Sequence, residues 1–280
     1  MPELPELEIM REVLQRRVIG CIIENVQTIG GGSAIIVRLF TQQRLEAAVT
    51  GATIEAVVRR GKFLILSLQR AAQVSPLFLV FNFKLTGRLQ LTEAKAKRLP
   101  KTHLIFSLSS GDQLRYVDQR TMGQLYLTAD PAQVPDYAGL GPEPFDVSLE
   151  EFRERLQPYR GEIKGVLTRG EFLAGLGNAY ADEILWAARL HPYRKRTELT
   201  AEEIERLYQS VQAVLRESVA RVRVAMGEDI HREPREFMAV HMKSGQPCPR
   251  CGTPISLVSA NQRITNFCRT CQPGGLIEGM

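Results

Sequence analysis

The chain has 280 residues, 44% apolar and 24% charged, which is the make-up of a folded protein long enough for two modest domains and not of a disordered or fibrous one. No run approaches the ~18 consecutive apolar residues of a membrane span. The N-terminus, MPELPELEIMREVLQRR, sets acids ahead of any apolar run and lacks a small-residue cleavage site, which excludes a secretory signal. Basic side chains outnumber acidic ones 36 to 31, a net charge of +5 that favours a polyanionic partner.

Residues 3–17 place Leu4, Leu7, Ile9, Met10, Val13 and Leu14 mostly on helical spacing, and Gly20 follows as a stop. From about residue 20 to 128 the period changes. Short β-rich runs, CIIENVQTI, SAIIVRLF, KFLILSL, PLFLVFNF and HLIFSL, are separated by Gly, Ser, Asp and Pro clusters, the pattern of an antiparallel sandwich or barrel. Pro131, Pro135, Pro142 and Pro144, with Gly139 and Gly141, punctuate the next stretch too heavily for a helix or a central strand. Beyond it the pattern is helical. Ser148 with Glu151, and Thr200 with Glu203, form capping boxes ahead of FRERL and of the long run EEIERLYQSVQAVLRESVARVRVAM. The fold class expected is α+β: an N-terminal helix plus antiparallel β-sandwich over residues 1–130, a linker over 131–147, a helical domain over 148–230 and a zinc ribbon over 238–272.

The ribbon follows from the cysteines. Cys248, Cys251, Cys268 and Cys271 read CxxC, sixteen residues, CxxC, the spacing of a four-thiolate zinc site. All four positions are filled and none is open for water, so one structural Zn2+ is expected. Two disulfides are the alternative, disfavoured in a chain without a secretory signal. Cys21 reads as a strand residue with no role.

Two further stretches carry chemistry. If Met1 is removed, Pro2 becomes a terminal secondary amine whose pKa near ~8 leaves a useful neutral fraction. Attack of that amine on an aldehyde carbon gives an iminium that stays cationic and acts as an electron sink for eliminating a β leaving group. Glu3 and Glu6 stand at the same end, placed to move protons, although Pro and acids in a first helical turn also describe ordinary capping. Gly175, Gly177 and Asn178 lead directly into a helix, whose N-terminal amides suit a phosphate. Arg59, Arg60 and Lys62 form a short cationic cluster beside an apolar strand.

PELPELE at the terminus, RRGKFL at 59–64, GLGNAYADEIL at 175–185 and the paired CxxC motifs together resemble the formamidopyrimidine-DNA glycosylase and endonuclease VIII family, in the family's order and over essentially the whole chain. The resemblance implies a β-sandwich, a helix–two-turn–helix DNA-binding domain and a zinc finger. It implies a bifunctional base-excision enzyme, a DNA glycosylase with AP lyase activity, that removes an oxidised or ring-opened base and cuts the strand by β/δ-elimination. Pro2 corresponds to the nucleophile that forms the Schiff base, Glu3 to the acid/base beside it, Lys62 to the proton donor in ring opening and Arg263 to the finger arginine of phosphate contact and δ-elimination. Asn178 matches the asparagine of the helix–two-turn–helix that holds DNA phosphate, and Lys164 in EIKGVL matches a lysine nearby in the same DNA-binding set. The partner implied is double-stranded DNA with a damaged base or an abasic site, met by a cytoplasmic, nucleoid-associated monomer of bacterial type that binds no membrane. The alternative is a paralogue that binds damaged DNA without catalysis, against which Pro2, Glu3 and Lys62 all speak.

The departures from the family concern substrate. An enzyme that flips out a base fills the hole with wedged side chains. Where the formamidopyrimidine branch has a methionine wedge, Asn82–Gly87 offers Leu85; where its second loop has a phenylalanine, Asp118–Gly123 offers Met122, while Arg120 remains to bond the orphaned base. The stretch GEDIHREPREFMAVHMKSG is shorter than the family's 8-oxoguanine-capping loop, which weighs against that lesion and leaves ring-opened purines, oxidised pyrimidines and abasic sites.

Overall fold

Helix α1 (Leu4–Val18) begins with Pro5 in its first turn, where a missing N–H costs nothing, and buries Leu4, Leu7, Ile9, Met10, Val13, Leu14 and Val18 along one side. Each such side chain contributes about 1.5–3 kcal/mol by leaving water. The structure, a computed structural model, describes residues 1–70, 76–260 and 263–274, with the backbone alone for Ala260 and Arg263. The chain divides into two compact units, Met1–Gly139 with Val222–Pro234, and Leu140–Arg221 with Arg235–Met280.

In the first unit the strands are β1 (Ile23–Thr28), β2 (Val37–Leu39), β3 (Thr53–Arg60), β4 (Phe63–Gln69), β5 (Leu77–Asn82), β6 (Gly87–Glu93), β7 (Thr102–Leu108), β8 (Asp112–Asp118) and β9 (Gln124–Thr128). They form two sheets, ordered β1-β7-β8-β6 and β2-β9-β5-β4-β3. Every described pairing in them is antiparallel except the short β2–β9 pair, which is parallel. The sheets meet through aromatic rings: Phe81 of β5 stacks on Tyr116 of β8 at 6.1 Å. Strands β4 and β5 read as nearly unbroken apolar runs because both faces are covered, with α1 lying on β3 and β4.

SAIIVRLF, expected as one strand, is instead a single helical turn, α2 (Gly32–Ile36), followed by β2. The ring of His103 fills the space beside Gly32, where a Cβ would stand 2.4 Å from Nδ1. The turn also buries Ile36 while leaving Ile35 outside, which two neighbours in a turn can do. A second short helix, α3 (Leu45–Val49), precedes β3.

The second unit holds α4 (Leu149–Leu156), α5 (Ile163–Leu167), α6 (Asn178–Ala187) and α7 (Ala201–Met226), the last of which runs on into residues grouped with the first unit, and the hairpin β10 (Ser256–Ala260) and β11 (Arg263–Phe267). Both expected capping boxes form: Ser148 and Glu151 exchange backbone-to-side-chain bonds at 2.8 and 3.2 Å, Thr200 and Glu203 at 3.0 and 3.3 Å. Among the described residues no helix is long and apolar enough to cross a membrane.

Candidate functional site

At the terminus Pro2 is buried immediately before the helix cap, and Glu3, the cap residue of α1, is also buried. The Glu3 N–H donates to Glu6 Oε2 at 2.9 Å, so Glu6 is held by the helix start. With Met1 in place, its ammonium pairs with Glu233 Oε1 at 2.9 Å, and Arg88 pairs with the other oxygen of the same carboxylate. Lys62 is half-buried in the two-residue turn Gly61–Lys62 between β3 and β4, whose ends pair as Arg60 with Phe63. The neighbouring Arg59 turns to α1, where its Nε meets Glu8 Oε2 at 2.7 Å. Burial raises the Glu8 carboxyl, but the bonds and charges of Arg11 and Arg59 outweigh it and leave Glu8 below its ordinary value.

The segments Asn82–Gly87 and Asp118–Gly123 carry the exposed apolar residues Leu85 and Met122, 41% and 48% accessible. Arg120 is exposed as well, and its backbone N–H donates to Thr86 Oγ1 and Asp118 Oδ1, each at 3.1 Å.

In the second unit Gly177 caps α6 and Asn178 is its first residue. The half-buried Asn178 donates from Nδ2 to the carbonyl of Ile264 in the hairpin at 2.6 Å. Lys164, expected among the DNA-binding residues, is seated inside: its side chain is 7% exposed, and its Nζ reaches Asp182 Oδ1 at 2.6 Å, Thr265 Oγ1 at 2.8 Å and the Ile264 carbonyl at 2.9 Å. An ammonium has three donors, and these acceptors use them. Asp182, fully buried, also receives His241 Nδ1 at 2.8 Å and Asn266 N at 3.2 Å. The adjacent Glu183 takes the backbone N–H groups of Ala239, Val240 and His241 at 2.8–2.9 Å; burial pushes its carboxyl up despite them. Lys164, Asp182, Glu183 and Asn178 therefore tie α5 and α6 to the cysteine-bearing segment. Sequence reasoning missed Asp182 and Glu183, although two adjacent acids in the middle of the apolar run AYADEILWA are a signal of buried partners. Arg263 opens β11, and its side chain lies outside the described residues.

The four cysteine sulfurs lie within 4.8 Å of one another, with Cys248–Cys271 at 3.9 Å and Cys251–Cys268 at 3.4 Å. Zinc–sulfur bonds of ~2.3 Å in a tetrahedron need sulfurs roughly 3.8 Å apart, so the cluster fits one zinc ion. The turn of the first knuckle is closed by Gly252 N to the Cys248 carbonyl and Cys248 N to the Thr253 carbonyl, both 2.8 Å. The Cys251 thiol is lowered to about 6, first by hydrogen bonding with the Thr253 side chain and backbone, which favours the ligating thiolate. Zinc here supplies shape, since all four positions belong to protein sulfurs.

Residues 1–125 match the family described as Formamidopyrimidine-DNA glycosylase N-terminal domain, residues 140–228 its H2TH domain, and residues 245–274 the zinc finger found in FPG and IleRS. The chain is 36% identical over 282 residues to the formamidopyrimidine-DNA glycosylase of Symbiobacterium thermophilum, covering 98% of this chain and 90% of that protein. It is 32% identical to the one from Herpetosiphon aurantiacus, over 97% and 100% of the two. Its fold matches the Lactococcus lactis Fpg solved with DNA containing an abasic site, with a TM-score of 0.83, 30% identity and coverage of 97% and 100%. By class, then, this is a DNA glycosylase of base-excision repair carrying a structural zinc finger. Within that class the chain belongs to the formamidopyrimidine-DNA glycosylase family.

Proposed function

We propose that this DNA glycosylase releases an oxidised or ring-opened base from duplex DNA through the nitrogen of Pro2 and then cuts the strand at the resulting site. The observation that carries the reading is the buried pair at the terminus, Pro2 followed by Glu3, set at the start of α1 where Glu3 and Glu6 form a capping box. Once Met1 is removed, the Pro2 nitrogen is a secondary amine. Its lone pair attacks C1′, the glycosidic bond breaks, and the base leaves with a proton supplied by Glu3. The C1′–O4′ bond then opens to the iminium, O4′ taking a proton from Lys62. Loss of a C2′ proton expels the 3′ phosphate, and Arg263 assists loss of the 5′ phosphate. Leu85 and Met122 fill the space left in the stack, Arg120 bonds the unpaired base, and Asn178 contacts phosphate. Lys164 serves this function indirectly, by fixing the hairpin on which Arg263 stands. The altered wedges and the short stretch before the finger point to ring-opened purines, oxidised pyrimidines or abasic sites ahead of 8-oxoguanine.

Borohydride trapping on an abasic duplex tests the nucleophile. Protein lacking Met1 should give a covalent protein–DNA species attached at Pro2, and a variant with an N-terminal residue that cannot be processed off should bind the same DNA yet neither trap nor cut it. A full yield of trapped complex from the blocked variant would move the nucleophile to a lysine. No trapping from either protein would leave a damage-binding paralogue.

A further inference from the structure

The two segments that carry Leu85 and Met122 are built alike and built around one point. In each, the residue just before the exposed apolar side chain is a non-glycine in the left-handed backbone region, Lys84 at φ 46° and Thr121 at φ 52°. Such backbone is unfavourable for L residues and persists only where surrounding bonds hold it. A glycine comes two residues after Leu85 and directly after Met122, and the same phenol lies against both glycines. A Cβ on Gly87 would stand 2.5 Å from the Tyr116 hydroxyl, and one on Gly123 would stand 1.9 Å from it. The carboxylate of Asp118, completely buried, bonds both segments at once: Oδ1 accepts from the Thr86 hydroxyl and from the Arg120 N–H at 3.1 Å, while Oδ2 accepts from the Gly123 N–H at 2.8 Å. Thr86 Oγ1 in turn accepts from the same Arg120 N–H at 3.1 Å. Two loops 30 residues apart in sequence thus share three groups: the Thr86 hydroxyl, the Asp118 carboxylate and the Tyr116 ring.

We propose that Thr86 and Asp118 are positioning residues that lock the Leu85 and Met122 loops into a single wedge, so that both side chains enter or leave the DNA stack together. The inference rests on the reading of Leu85 and Met122 as wedges given above. It assigns the coupling to the hydrogen bond from the Thr86 hydroxyl to the Asp118 carboxyl group, which joins the two loops. A wedge in one piece holds its two side chains at a fixed separation, and that separation, set by the protein, limits which opposite base fits beside Arg120.

The test is a double-mutant cycle measured by single-turnover base release from a duplex carrying one ring-opened guanine opposite cytosine, with cutting of a single-stranded abasic oligonucleotide as reference. In the parent, Leu85→Ala and Met122→Ala should each slow the duplex reaction and combine less than additively, because losing either disables the shared wedge. Thr86→Val should lower the ratio of duplex to single-strand rate by about tenfold, and in its background the two alanine effects should become additive. Thr86→Ser, which keeps the hydroxyl, should restore both the rate and the non-additivity, which a volume effect would not explain. If the alanine variants slow the duplex reaction but Thr86→Val matches the parent, the coupling is wrong and the wedge assignment stands. If neither alanine variant slows it, the wedge assignment and the coupling both fall.

Discussion

The indole nitrogen of Trp186 donates to the sulfur of Cys248 across 3.4 Å, so the chain's one tryptophan touches the zinc site directly. Arg250, two residues beyond Cys248, lies over the same indole at 4.1 Å from the ring centre and bonds the Trp186 carbonyl at 3.0 Å. Four thiolates on one zinc ion carry a net double negative charge, which an N–H donor and a nearby guanidinium both relieve. This joins the end of α6 to the knuckle through chemistry at the metal site as well as through packing with Val240, Ile255 and Cys268.

Trp186→Phe keeps the ring and removes the donor. Zinc should then be lost to a chelator faster, by roughly tenfold, the lower end of the effect of outer hydrogen bonds on metal affinity. Removing zinc from the parent should also change its tryptophan emission, since one fluorophore sits at one sulfur. Equal release rates in parent and variant would show that the contact does not stabilise the site.

Lys164→Met should destabilise the second unit by about 3–5 kcal/mol, the cost of stranding a buried carboxylate without its cation. Among the described residues, the hydrogen-bond partners left to the fully buried Asp182 in that variant are His241 and Asn266. Adding Asp182→Asn should recover much of the loss, because a neutral amide no longer needs the ammonium. Urea unfolding of the single and double variants measures both. A mild Lys164→Met phenotype with a specific loss of DNA affinity would return Lys164 to the phosphate role.

The Glu8–Arg59 pair sets a pH dependence. Glu8 titrates below its ordinary value in the folded chain: burial opposes this, but Arg11 and Arg59 prevail. A carboxyl depressed on folding adds stability that is complete above its unfolded pKa of about 4.3 and is lost as pH falls through the folded value. The parent should therefore lose stability more steeply than Glu8→Gln below about pH 4.3, with the two curves parallel at neutral pH. Urea midpoints taken across that range decide it; parallel curves throughout would remove the pair from the acid response.

The elements readable from sequence were those fixed locally. Apolar spacing marks α1 and α7, the capping boxes at Ser148 and Thr200 mark two helix starts, and the cysteine spacing marks the metal site. What escaped was set by partners distant in sequence. The ring of His103 leaves no room for a side chain at position 32, and Lys164 is drawn inward by Asp182 and a hairpin 100 residues away. Nothing in EIKGVL distinguishes a lysine that meets phosphate from one that meets a buried carboxylate, since both need the same charge. Leu85 and Met122 come from the resemblance to the family's wedge positions, whereas the Asp118 carboxyl group that joins their loops has no signal in the sequence.

Glu3 and Glu6 stand three residues apart and should separate cleanly by function. Glu6 accepts the Glu3 N–H and sits in the first turn of α1, so its loss should be felt as stability, about 1 kcal/mol for Glu6→Gln or less if the amide keeps the bond. Glu3 is buried beside Pro2, and in the proposed mechanism it hands a proton to the departing base. Glu3→Gln preserves the size of the side chain and the Pro2 amine but removes the acid. It should slow release of a ring-opened base by roughly 10²-fold or more, the usual contribution of general acid catalysis. Strand cutting at a preformed abasic site needs no base release, so it should fall far less, and borohydride should still trap the protein at Pro2. Parallel losses of base release and abasic cutting in Glu3→Gln would mean that Glu3 acts on the amine itself, with its proton transfer common to both reactions.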